Sequence, residues 1–192
     1  MFAPVPRRFA VFALLALSMA ATRVNHAGTV WLPPDASWAV FYLAGFYLAR
    51  EWRWALALLL IEAVGSDCLA IRYYGISNYC ATLAYWVILP AYSLLWLGGA
   101  WLRRHYQQAA PDLARLCASL LLSVTLCFLF TNASSYWLGG RIEHPDVVGW
   151  WSHFTRWYVH FLTVPCMYVG FAALVHIAFT HRSRSAAPQH AH

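Results

Sequence analysis

Lysine is absent from the 192 residues, and acidic residues number only 7. Charged side chains make up 10% of the chain, against about 25% in an ordinary soluble domain. So little charge cannot cover a globular surface with polar groups, which argues against a soluble fold. The 13 basic residues are therefore all arginine and leave a net charge of +6. They sit in short clusters between apolar runs, the pattern of membrane-protein loops and not of a nucleic-acid-binding face. No phosphate-binding loop occurs, so any ATP hydrolysis coupled to this chain belongs to another protein. The 5 cysteines contain no C-x-x-C pair, which argues against a metal cluster and against a dithiol exchange enzyme.

Apolar and aromatic residues fill the space that charge leaves. Hydrophobic residues make up 61% and aromatics 17%, with a mean hydropathy of +0.53. A hydrocarbon core of ~30 Å takes ~20 apolar residues per helix, so the chain has room for about six spans. The apolar runs are Phe9 to Thr22, Ser37 to Ala49, Trp52 to Ala70, Cys80 to Leu102, Leu116 to Thr131 and Tyr158 to Phe179. The expected fold is all-α: an integral membrane bundle of six transmembrane helices over residues 1–181, followed by a flexible tail over 182–192. The first two runs are short and must borrow Val24, Trp31 and Leu32 or thin the bilayer. Pro33 and Pro34 precede the second run, and Pro111 with Asp112 opens the fifth. The longest connection, Asn132 to Trp157, predicts a lid with a short amphipathic helix from Asp146 to Phe154.

With the N-terminus cytoplasmic, the inner side carries Arg7, Arg8, Arg50, Arg53, Arg103, Arg104, Arg115, Arg182 and Arg184. The outer side carries Arg23, Arg72, Arg141 and Arg156, and this asymmetry places both termini inside. A rival reading makes Phe9 to Leu17 the apolar core of a signal peptide cleaved at Ser18, Met19, Ala20. The remaining loops keep the same sides either way.

Cys117, Cys127 and Cys166 fall inside spans and read as small core residues. Cys68 and Cys80 flank the outer loop Leu69 to Tyr79, where a disulfide between them is one option in an oxidising compartment. Around the same turn stand Asp67, Arg72, Tyr73, Tyr74, Asn78, Tyr79 and Tyr85. If Cys80 opens the fourth helix, the free N–H groups and positive dipole end there favour a thiolate, and Arg72 acts in the same sense. Such a thiolate is a soft metal ligand or a nucleophile. The plainer reading is a turn held by an Asp67–Arg72 pair and interfacial tyrosines. Glu62, in the middle of the third run, must face the bundle interior or be protonated. His160 and His176 are ~24 Å apart along one helix and cannot clamp one haem. Ala13, Ala16 and Ala20 form a small-residue stripe on the first helix.

The segment N-H-A-G-T-V-W-L-P-P-D-A-S-W-A-V-F-Y-L-A-G-F-Y (Asn25 to Tyr47), followed by D-C-L-A-I-R-Y-Y-G-I-S-N-Y-C (Asp67 to Cys80), resembles the BtuM-type vitamin B12 transporters. These small bacterial membrane proteins are related to the substrate-binding S-components of energy-coupling-factor transporters. The resemblance covers most of the chain and is most specific from Asp67 to Tyr85. It implies an S-component fold in the bacterial inner membrane that binds cobalamin from the outer side, with Cys80 as axial ligand to the cobalt in base-off form. Loss of cyanide from cyanocobalamin is an implied side activity. Asp67 and Tyr85 would line the corrin edge or orient the thiol, His26 would face it from the first loop, and Arg72, Asn78 and Tyr79 would complete the site. The implied partners are the lipid bilayer and an ATPase and coupling module met through Ala13, Ala16 and Ala20. Two other functions remain open: a membrane thiol or quinone redox enzyme using Cys68 and Cys80, and an S-component for another small molecule. The retained-helix reading predicts that membrane-extracted protein keeps residues 1–20 by intact mass; their loss marks cleavage.

Overall fold

A computed structural model of the chain describes residues 5–23, 33–74, 82–140 and 142–185, and every regular element among them is helical. Helix α1 is Val5–Arg23, α2 Ser37–Tyr47, α3 Trp52–Tyr74, α4 Ile88–His105, α5 Pro111–Leu138 and α6 Val147–Ser185. Short 3-10 turns, Ala49–Glu51 and Leu83–Val87, lead into α3 and α4. The six helices follow the six apolar runs in order. Val24, Trp31 and Leu32 lie outside the described residues.

Four segments are long and apolar enough to cross a membrane: Ala49–Arg72, Ala84–His105, Pro111–Leu138 and Val147–Thr180. Helix α2, with 11 residues, reaches only about 17 Å. Its length is explained by its position. Ser37 to Tyr42, Ala44, Gly45 and Phe46 are all buried, so α2 is a central strut wrapped by the other helices. The outer surface is apolar instead, with Leu17, Ile61, Leu97, Leu122, Phe171 and Leu174 all more than half exposed. That inversion is what a bilayer solvent selects.

The tightest packing joins α2 to α4, and two glycines make it possible. A Cβ placed on Gly45 would lie 2.1 Å from the Trp96 carbonyl oxygen, and one on Gly99 would lie 1.9 Å from that of Tyr42. Each helix thus presents a glycine to the other's backbone, the close approach that small residues allow where burying apolar surface gains little. Tyr42 then reaches past α4 to α5, where its hydroxyl meets the Ser119 hydroxyl at 2.5 Å. An aromatic cluster of Trp38, Phe128, Phe154, Tyr158 and Phe161 joins α2, α5 and α6.

Several boundaries differ from the sequence reading. Helix α5 extends to Leu138 and α6 begins at Val147, so the expected lid from Asn132 to Trp157 shrinks to residues 139–146. The segment Asp146 to Phe154 is no separate helix. Asp146 caps α6, its carboxylate accepting from the Gly149 amide at 2.8 Å, and the following residues continue into the span. At the N-terminal end of α4, helical structure starts at Leu83, after Thr82 in an extended conformation, and not at Cys80. The helical N-terminus expected to favour a Cys80 thiolate therefore lies beyond Cys80, at Leu83. Helix α3 runs to Tyr74, which places Arg72 in its last turn. Of the three cysteines assigned to the core, Cys127 is buried, whereas Cys117 and Cys166 face outward.

Glycine at position 99 is predicted to be indispensable to the α2–α4 contact. Gly99→Ala must separate two backbones and should cost ~1–3 kcal/mol, the range for overpacking, measured by unfolding in detergent against Gly170→Ala, where an added Cβ meets nothing.

Candidate functional site

The most connected polar group lies where α1 ends. Arg23 is 1% exposed, and its guanidinium reaches three other helices. Nε donates to Asp67 Oδ1 at 2.8 Å and to the Ala63 carbonyl at 3.1 Å, while Nη2 donates to Asp67 Oδ2 at 2.7 Å, all on α3. Nη1 donates to Ser37 Oγ of α2 at 2.7 Å and to the Tyr92 hydroxyl of α4 at 3.1 Å. The guanidinium carbon also lies 5.6 Å from the centre of the Tyr92 ring. The fork of donors on arginine suits this work, since lysine could not bridge a carboxylate in two places and still reach both hydroxyls.

Two further contacts widen the cluster. The Ser37 hydroxyl, having accepted from Arg23, donates to the Asp35 carboxylate, which also accepts the Ser37 amide at 2.9 Å. Thr22 Oγ1 accepts the Ala36 amide at 3.0 Å, so α1 satisfies a backbone donor just ahead of α2. The Thr22–Ala36 and Arg23–Ser37 contacts join the end of α1 to the start of α2.

Asp67 also accepts a third hydrogen bond. The Tyr85 hydroxyl donates to Oδ2 at 2.8 Å. Tyr85 is 5% exposed and stands in the 3-10 turn that precedes α4. This hydrogen bond ties the 3-10 turn ahead of α4 to the side of α3.

The expected site residues thus divide into two groups. Asp67 and Tyr85 are brought together, directly bonded, and joined to Arg23. Arg72 is exposed on the last turn of α3, and the ion pair of Asp67 is with Arg23 in place of the Asp67–Arg72 pair that the sequence suggested. His26, Asn78, Tyr79 and Cys80 lie outside the described residues. Cys68 is an exposed free thiol on α3. On α1, Ala13 and Ala20 are exposed, whereas Ala16 packs against the core. Glu62 is half-buried and its Oε1 has no hydrogen-bond partner. His160 is exposed on α6, and among the described residues no three His, Cys, Asp or Glu side chains gather as a metal site.

Arg23 and Tyr92 are the site residues that sequence reasoning missed. Arg23 was counted as an outer-loop charge. The one available signal was its place as a lone arginine directly after an apolar run, matched by Asp67 near the end of another. No protein-family model and no curated protein matches the chain.

A buried ion pair is costly to break from one side. Arg23→Met leaves the Asp67 charge without its main partner and should destabilise the bundle by ~3–5 kcal/mol. The double variant Arg23→Met, Asp67→Leu removes both charges and should recover most of that loss, a coupling that a double-mutant cycle in detergent measures.

Proposed function

We propose that this chain binds cobalamin at the outer face of the bacterial inner membrane and takes it up, with Cys80 as the axial ligand to cobalt. The six helices form one membrane-embedded domain with both termini cytoplasmic. The observation that supports the reading is the Tyr85–Asp67 hydrogen bond, because it joins the first and last residues of the Asp67 to Tyr85 motif to each other and to Arg23. The motif from Asp67 to Tyr85 supplies the chemistry, and this bond supplies a reason for its two end residues. Asp67 and Tyr85 are then positioning residues: their polar atoms are engaged with each other and with Arg23. His26, Arg72, Asn78 and Tyr79 complete the mouth around the corrin ring.

Cys80 thiolate donates an electron pair to trivalent cobalt on the lower face and displaces the dimethylbenzimidazole nitrogen. Thiolate is a softer and stronger donor than that base. The bond on the opposite face weakens, and cyanide departs with its electron pair, leaving cobalt trivalent and its upper position open to water. The step is a ligand exchange and consumes no reductant. Energy for movement comes from elsewhere, and the exposed small-residue face at Ala13 and Ala20 is the surface offered to an ATPase and coupling module.

The competing thiol-redox reading requires Cys68 and Cys80 to act together. Protein purified after growth with cyanocobalamin is predicted to show a corrinoid spectrum in the visible range that changes in Cys80→Ser and is unaffected in Cys68→Ser. Uptake in Cys80→Ser should fall without vanishing, since contacts to the corrin ring remain. Identical spectra for wild type and Cys80→Ser would remove the cobalt–thiolate bond from the account; equal dependence on Cys68 would favour the redox pair.

A further inference from the structure

A cavity of about 420 Å³ opens at the opposite end of the bundle from Asp67, between the C-terminal ends of α2, α4 and α6 and the N-terminal turn of α5. It falls in the size range of small-molecule sites. Leu43, Phe46, Leu102, Leu116, Ala173 and Ile177 make its wall apolar. Tyr47, Gln108, Asp112, His176 and Thr180 add polar groups. The Asp112 carboxylate is satisfied by the Gln107 and Ala109 amides at 2.9 and 3.0 Å and by Arg115 at 2.7 Å, so its charge is neutralised locally. Gln108 holds a φ of 58° in the turn that closes this end, a backbone strain of the kind found at ligand clamps.

His176 is the unusual member. Its Nδ1 lies 3.1 Å from the Tyr47 hydroxyl, and its ring is bordered by Phe46, Tyr47 and Tyr106. Its Nε2 is buried and has no hydrogen-bond partner. When Tyr47 donates to Nδ1, the proton of the neutral ring sits on Nε2, a buried donor that lacks an acceptor. Above the Phe46 wall stands the Arg103 guanidinium, 5.5 Å from the ring centre. An apolar slot, a buried imidazole nitrogen without a partner and a guanidinium at the rim together ask for an amphiphile with a negative head.

We propose that this cavity holds one anionic phospholipid, its acyl chain in the slot and its phosphate facing Arg103, with a head-group oxygen taken up by His176. Basic pockets between transmembrane helices on the cytoplasmic side are suited to such heads. The assignment rests on the membrane-spanning reading of the helices, and is independent of what binds near Cys80. A bound lipid here would brace the bundle at the end remote from Arg23.

The test counts phospholipids retained per chain by native mass spectrometry, on wild-type protein free of corrinoid, exchanged into micelles doped with phosphatidylglycerol or with phosphatidylcholine. Wild type should retain one phosphatidylglycerol and favour it over phosphatidylcholine. Arg103→Gln should cut phosphatidylglycerol retention by roughly fivefold, the effect of one arginine near a charged head. Ala173→Phe, which fills the slot without changing charge, should lower retention of both lipids, and His176→Leu should lower the preference between them. Equal retention of the two lipids by wild type overturns the proposal, as does unchanged phosphatidylglycerol retention in Ala173→Phe or in Arg103→Gln. If Ala173→Phe does not fold, Arg103→Gln, at the cavity's rim, decides the matter. Failure here leaves the corrinoid spectrum untouched, so the two readings fall separately.

Discussion

The buried guanidinium of Arg23 is the interaction on which the rest of this structure hangs. An unpaired charge away from water is expensive, and Arg23 is almost wholly enclosed. The cost is offset only because α2, α3 and α4 each turn a polar group toward it: Ser37, Asp67 and Tyr92. These helices must therefore keep their register at this level. A buried ion pair is seldom the most stabilising choice for a core, where apolar residues of the same volume often do as well. What Arg23 adds is specificity, since a slip of one helix would strand a charge. The aspartate it holds also receives Tyr85, and through that bond the cluster reaches the 3-10 turn that leads into α4.

The two ends of the bundle are built on different principles. At the Asp67 end, polar groups converge inside and tie helix termini together. At the other end, Arg8 of α1 pairs with Glu51 of the turn before α3, and Arg115 of α5 holds both Asp112 and the His105 carbonyl. In both pairs the carboxylate is largely enclosed while the arginine stays partly exposed. The space between the helices there remains open and apolar. Between the ends, Gly45 and Gly99 let α2 and α4 meet backbone to backbone, which fixes the central strut against which the longer helices lean.

Much of this was legible in the sequence, for physical reasons that differ by element. Six apolar runs became six helices because charge is scarce and is concentrated where runs end. Boundaries were less legible. The aromatic stretch before Tyr158 reads as a loop by its polarity, yet Trp150, Trp151, Phe154 and Tyr158 stack along one helix, so α6 begins at Val147. Asp67 and Tyr85 were found as candidates, but their partner was not. Arg72 is near Asp67 in the chain and Arg23 is near it in space, and only the fold distinguishes the two. The glycine contacts were missed for the same reason: whether a glycine meets a backbone or open space depends on a neighbouring helix that the local sequence does not describe.

The proposed cobalt–sulfur bond of Cys80, with Asp67 and Tyr85 as positioning residues, is open to direct measurement. X-ray absorption at the cobalt edge, on purified protein carrying cobalamin, reads the neighbours of that metal directly. The account predicts a sulfur neighbour in wild type and a smaller sulfur contribution in Tyr85→Phe, which keeps the thiol but loses the tie to Asp67. Cobalt surrounded only by nitrogen and oxygen in the wild-type protein would contradict it.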